Sequence, residues 1–461
     1  MGRSARCVLM SGQAEMSVAH GRTTVSSAVQ KIGRYRIKIL AVIWIVYVIN
    51  YFDKMAVLNL LPLIRQELNV DYGTIGFAAS LFFFAYALAQ LPAGMLADKF
   101  GPKKVMYFAI TVFSFFTFFT GIIHNVTTFI LVRLGLGFGE GFHFTPSIRT
   151  ISDWFPPKEK GRATSFFTTS WTVAPAIGAI IITSIAAAWG WRAVFFTMSI
   201  PGFLGLAALW YWMRNTPEEA HAEGRVSAAE LQHIREGLAT QAQAGAPKAP
   251  YSVVAKDPHL WVITGIVFLK TFVYWGAATW LSSFLVEEHG FSIQAMGLLS
   301  SLPFFVGFVS QMSSGWIMDK ITGGKAKPIF IVAFAMAAAV LYFVTTIPKG
   351  NVPLLIIALA ILGWAIVFWD GPIYAFVQMR YPKEMIGTVT GVTQMIGQFG
   401  SFIAPTLAGF LVVAKTATTT ANYTNVFLLF MGAALIGVVL SLMINEAPLK
   451  KPAQSPSLAE A

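Results

Sequence analysis

From Ile39 onward the chain repeats one pattern. A run of about 20 apolar residues, the length of a membrane-spanning helix, gives way to a short polar break and then to another such run. Read by window, the pattern predicts about twelve spans, near 39–64, 74–97, 105–123, 126–150, 161–188, 193–213, 259–286, 293–318, 328–347, 352–378, 386–413 and 424–445. One stretch breaks the rhythm. Residues 214–257 carry EEAHAEGRVSAAELQHIREG and AQAGAPKAP, which are polar, Ala-rich and punctuated by Pro and Gly. They read as a hydrophilic linker between two six-span halves, with a short surface helix at Ser227–Leu238. The predicted organisation is a cytoplasmic tail over 1–38, a six-helix bundle over 39–213, a cytoplasmic linker over 214–257, a second bundle over 258–446 and a cytoplasmic tail over 447–461.

Composition supports the membrane reading. The chain is 56% hydrophobic and 12% charged, against about 25% charged in a soluble protein. The net charge of +12 does not point to nucleic acid, because the basic residues fall in the breaks between spans. One side collects Lys31, Arg34, Arg36, Lys38, Lys99, Lys103, Lys104, Lys158, Lys160 and Arg162. The linker, Lys320, Lys325, Lys327, Arg380, Lys383, Lys450 and Lys451 continue that side, while the other has little beyond Arg65, Arg192, Lys349 and Lys415. The bias predicts a multi-pass protein of the plasma membrane with both termini cytoplasmic.

Residues 1–30 read as a disordered tail without a signal peptide, and Met10 or Met16 could be the true start. The single cysteine, Cys7, allows no disulfide framework. No P-loop, H-E-x-x-H or G-x-S-x-G pattern occurs, so the expectation is a protein that is not an enzyme, with no catalytic residue, metal or cofactor.

Charges inside apolar runs are the candidate chemistry. Ionised groups at bilayer depth cost roughly 2.5–3.5 kcal/mol each even on the lenient insertion scale. Asp53-Lys54 sits within the first span. At 3.6 residues per turn Tyr47, Asn50 and Lys54 share a face that Asp53 borders, which is either a packed polar contact or a cavity wall. Arg133 and Glu140 in the fourth span lie on nearly one face, roughly 10 Å apart along the axis, with His143 close by. Lys270 and Asp370 fall at comparable depth in the seventh and tenth spans and could meet, as a fixed structural pair or as a substrate ligand and its release group.

Two stretches repeat. GMLADKFGPKK starts at Gly94 and GWIMDKITGGK at Gly315, and Asp98 and Asp319 keep the same offset. The first copy carries Gly94, Asp98, Lys99, Gly101, Lys103 and Lys104 in the pattern G-x-x-x-D-[RK]-x-G-x-[RK]-[RK]. With it the chain resembles the major facilitator superfamily. More narrowly it resembles that superfamily's anion:cation symporters, through NYFDKMAVLNLLPLI, FFFAYALAQLPAGMLADKFGPKK, RLGLGFGEGFHFTPS, DWFPPKEKGRA and GWRAVF. YWGAATWLSSFL and GVTQMIGQFGSFIAPTLAGFL match more loosely.

The resemblance implies an all-α membrane protein, two pseudo-symmetric six-helix bundles around a central cavity lined by spans 1, 4, 7 and 10. It implies import of a small organic anion, a sugar acid or an aromatic or aliphatic carboxylate, in symport with protons by alternating access. A monomer is expected. In the resembled proteins the positions of Asp53 and Glu140 take the coupled protons, those of Lys54 and Arg133 hold the anion, and that of Lys54 is usually Arg. Tyr51, Tyr86 and a polar residue of span 11, here Gln394 or Gln398, correspond to substrate contacts. Tyr274 supplements them, and the loop at Asp98 acts as a gate with Asp319 its second copy. Trp171 stands where the sugar-acid branch has glutamine, which suggests a flatter or less hydroxylated anion. The rival readings are an organophosphate:phosphate exchanger, which would want paired arginines, a drug:proton antiporter, of whose span 5 pattern SWTVAPAIG keeps only Ala174-Pro175 and Gly178, and a transporter-like sensor.

Overall fold

The computed structural model describes residues 33–242, 256–381, 383–414 and 421–447. Most of the expected tails, with Lys31, Lys450 and Lys451, residues 243–255 of the linker, and Lys415 lie outside the described residues.

The first half holds α1 (Tyr35–Leu68), α2 (Tyr72–Phe100), α3 (Pro102–Thr120), α4 (Val126–Trp154), α5 (Pro157–Thr168), α6 (Ser170–Trp189) and α7 (Trp191–Trp212). Two short helices follow, α8 (Pro217–Ala222) and α9 (Ala228–Ala242). The second half holds α10 (Pro258–Ser283), running into a π-helical turn at Phe284–Glu288, then α11 (Ile293–Lys320), α12 (Lys327–Thr346), α13 (Val352–Ala365), α14 (Asp370–Arg380), α15 (Lys383–Leu411) and α16 (Thr424–Leu442). Among the described residues, 9 helical segments are long and apolar enough to cross a membrane. All-helical architecture is what a bilayer demands, since backbone groups there must be satisfied within the segment.

Local chemistry explains the boundaries. Asp71, Asn125, Ser292 and Asn351 each accept the backbone N–H three residues on, capping α2, α4, α11 and α13. Gly101, at φ +85°, turns the chain from α2 into α3, whose first residue is Pro102. The predicted fifth span is divided into α5 and α6 at Thr169, and the tenth into α13 and α14 at residues 366–369.

Small residues set how closely helices approach. A Cβ built on Gly137 of α4 would lie 2.2 Å from the Phe82 carbonyl oxygen of α2. Across the halves, one on Gly409 of α15 would lie 2.5 Å from the Tyr72 carbonyl oxygen of α2. At this end the halves also share polar contacts. Glu287 pairs with Arg65 at 3.0 Å and accepts hydroxyls from Tyr72 at 2.7 Å and Tyr423 at 2.8 Å. Asn59 accepts from Ser282 and Ser300, and Ser80 bonds Thr406 at 2.7 Å.

At the opposite, basic end the linker helix is docked rather than free on the surface. Glu230 of α9 is buried and accepts the Tyr35 and Arg36 backbone N–H groups, each at 3.1 Å, so it caps α1. Helix α1 consequently begins at Tyr35, ahead of the expected 39. Arg36 also pairs with Glu159 at the start of α5.

Candidate functional site

A cavity of about 900 Å³ lies between the halves and extends toward the basic end, where Gly94 of α2, Ile148 of α4 and Gly391 of α15 line it. The expected Tyr51, Lys54, Tyr86, Trp171, Lys270, Tyr274, Asp370, Gln394 and Gln398 all line it as well.

On the first-half wall, the Lys54 ammonium pairs with Glu140 at 3.4 Å. It lies 4.3 Å from the centroid of Tyr51, 4.8 Å from Tyr86 and 5.0 Å from Phe82. Trp275 of α10 closes the cage from the other half at 5.5 Å. The aromatic faces stabilise a buried ammonium without neutralising it. On the opposite wall Lys270 pairs with Asp370, so the two charges of similar predicted depth do meet. Asp370 opens α14 after the break in the tenth span. Gln394 donates to the Tyr374 hydroxyl at 2.8 Å, and Gln398 accepts from Ser401.

Other residues from the sequence lie behind this wall. Asp53 is 1% exposed and does not line the cavity. Its carboxyl stands beside Thr117 of α3 and Glu140 of α4, with hydrogen-bonding capacity left unfilled among the described residues. Glu140 is fully buried and meets the cavity wall at Lys54. Arg133 donates to the Ala79 carbonyl at 3.0 Å and stacks 4.6 Å from the Phe82 ring. It forms no ion pair among the described residues, because one helix face over seven residues still separates it from Glu140 by about 10 Å. His143 stacks on Tyr47 at 5.1 Å.

The loop motif is engaged within the first half. Asp98 pairs with Arg149 of α4 at 2.5 Å, and Arg149 also holds Asp153. The Lys103 backbone N–H donates to Asn215, and its ammonium to the Trp210 carbonyl. Lys99 lies beside Phe100, and Lys104 and Asp319 are exposed on the same end. Sequence reasoning missed Arg149 and Glu287. The i,i+4 spacing of Arg149 and Asp153 was a usable signal. Nothing local marked Glu287, whose partners come from distant elements.

Against known proteins, the Major Facilitator Superfamily profile matches residues 43–405. The Escherichia coli (strain K12) protein named "Probable galactarate/D-glucarate transporter GarP" is 30% identical over 435 residues, 89% of this chain and 94% of that one. The Cupriavidus necator (strain ATCC 17699 / DSM 428 / KCTC 22496 / NCIMB 10442 / H16 / Stanier 337) "Probable sulfoacetate transporter SauU" is 27% identical, covering 88% of this chain and 93% of that one. A bacterial homologue of the human lysosomal transporter Spinster, in an inward-facing and occupied conformation, superposes with a TM-score of 0.72 at 16% identity, over 89% of this chain and 97% of that one. A D-xylose-proton symporter gives 0.67 at 17% identity, over 90% and 98%.

Proposed function

The chain belongs to the major facilitator superfamily, and from that membership we propose that it imports a small organic anion with protons, by alternating access, across the plasma membrane. Both termini are cytoplasmic in this reading, one chain is the working unit, and the described conformation faces the cytoplasm.

One observation carries the proposal: each wall of a single cavity presents a lysine neutralised by a carboxylate, Lys54 with Glu140 and Lys270 with Asp370. Such a site is balanced when empty. Protonating Glu140 would release Lys54 to hold a substrate carboxylate, and a second substrate group would displace Asp370 from Lys270. Proton and anion binding would then favour one another, which is the requirement for symport. Asp53 is the second proton site. Tyr51, Tyr86, Trp171, Tyr274, Gln394 and Gln398 shape the pocket around the anion. Arg133 serves from behind, holding α2 to α4 through Ala79. The Asp98–Arg149 contact ties α2 to α4 within the first half at the basic end. The relatives named for galactarate/D-glucarate and sulfoacetate support an anionic substrate.

Each net positive charge carried inward gains roughly 2.3 kcal/mol per 100 mV of membrane potential. The test is uptake of labelled galactarate and sulfoacetate into liposomes holding the purified protein, with and without an inward proton gradient. Gradient-dependent accumulation is expected for at least one of them. Asp53→Asn should lose gradient-driven uptake and keep counterflow exchange. Accumulation indifferent to the gradient would sink the coupling.

A further inference from the structure

Behind the cavity wall, where α1, α3, α4 and α7 meet, lies a group of polar side chains with too few partners among the described residues. Both side-chain atoms of Asn50, both oxygens of Asp53, the hydroxyls of Ser114 and Thr117 and both ring nitrogens of His143 are buried with hydrogen-bonding capacity left unfilled among the described residues, although Thr117 reaches toward the Asp53 carboxyl and Asn50 toward that of Glu140. Asn50, Thr117, Glu140 and His143 are fully buried, and Ser114 and Asp53 are 1% exposed. Buried polar groups in native proteins are almost always satisfied, and where protein atoms do not satisfy them, ordered water does.

Helix geometry arranges the group as a path. Around α1, Tyr51 and Lys54 face the cavity. Asp53 is turned about 100° from Lys54, and Asn50 falls between them, one turn nearer the basic end. Ser114 and Thr117 are one turn apart on α3, and Glu140 and His143 are one turn apart on α4. The charged and titratable groups facing this space are Lys54 and Tyr47 from α1, Arg133 from α4 and Tyr86 from α2.

We propose that Asn50, Ser114 and Thr117 hold a short chain of water molecules that joins Asp53 to Glu140, so that the proton reaches Asp53 through the interior of the first bundle and not through the substrate cavity. This rests on the reading of Asp53 and Glu140 as proton sites. Asn50 and Thr117 are then positioning residues, acting on the rate of proton exchange and not on the anion. The route keeps proton and substrate apart, meeting at the Lys54–Glu140 pair and at Tyr47, which lines the cavity and stacks on His143.

Infrared spectroscopy of the full chain in liposomes tests this without a substrate. The band lost in Asp53→Asn identifies the protonated Asp53 carboxyl, and its shift on transfer to D₂O gives the exchange rate. Thr117→Val, isosteric with threonine, and Asn50→Val should slow that exchange by about tenfold or more, because each removes water anchors. Thr117→Ser, which keeps the hydroxyl, and Asn50→Ser, which puts a hydroxyl in place of the carboxamide, should stay near the parent rate and control for packing. Parent-like exchange in both valine variants overturns the proposal. So does a band that appears only when sodium is removed, which would make the space an alkali-cation site. Absence of any Asp53 band overturns the proton role of Asp53 and the water chain with it, whereas slowed exchange alongside failed galactarate and sulfoacetate uptake leaves the chain standing and refutes only those substrates.

Discussion

Replacing Lys270 with methionine separates a structural ion pair from a functional one. The Lys270 and Asp370 side chains are 14% and 12% exposed, so the change leaves the Asp370 carboxylate nearly desolvated with its cation gone. Removing one member of a buried pair costs about 3–5 kcal/mol, and the adjoining cavity, which admits water, places this case near about 3 kcal/mol. Equilibrium unfolding in mixed micelles should show that loss for Lys270→Met. The double variant Lys270→Met/Asp370→Leu buries no lone charge. Replacing both charges by apolar groups is often neutral, so it should recover to within about 1 kcal/mol of the parent. Gradient-driven uptake should be absent from both variants, since the second substrate contact is missing in each. A double variant that regains stability and uptake together would refute the ligand role of Lys270 and leave the pair structural. A single variant as stable as the parent would refute the energetic reasoning.

Three further outcomes follow from the geometry. Glu287→Gln should loosen the end opposite the cavity, because Arg65 loses its ion pair; impermeant thiol labelling of Ser80→Cys in a Cys7→Ser background should rise, and unchanged labelling would exclude Glu287 as a latch. Gly137→Val should prevent close packing of α2 on α4 and lower the unfolding temperature sharply, whereas Gly161→Ala, with nothing within 4 Å of the added carbon, should be silent; equal effects would discount the contact. Asp257, just before α10, is subject to burial that would raise its pKa, but hydrogen bonds from Arg380 and Tyr381 outweigh it and hold the carboxyl below its ordinary value. A lowered folded-state value means stability present above the unfolded value and lost as pH falls through the folded one. Asp257→Asn should therefore be less stable at neutral pH and lose less than the parent on acidification toward pH about 3; thermal unfolding curves with the same acid slope in both would contradict this.

Much of the architecture was legible in one dimension because a bilayer leaves few choices. Apolar length announced the helices, and charges inside them stood out because lipid tolerates so few. Lys54, Lys270 and Asp370 were found this way, and similar depth allowed a meeting of the last two without deciding it. Helical periodicity could not assign the two sides of α1. Asp53 borders the face of Lys54 in projection, yet α7 packs on that flank through Gly205 against Val46 and Ile49, and Thr117 of α3 and Glu140 of α4 stand beside Asp53, out of the cavity. The pairing of Asp98 with Arg149 and of Glu287 with Arg65, Tyr72 and Tyr423 joins residues far apart in sequence. Sequence by itself determined a helical membrane protein with charges it must shelter, because burial in lipid is a property of each segment. Tertiary structure alone decided which charge meets which, because an ion pair depends on a few ångströms between helices, and those are set by the glycines and side chains of other segments.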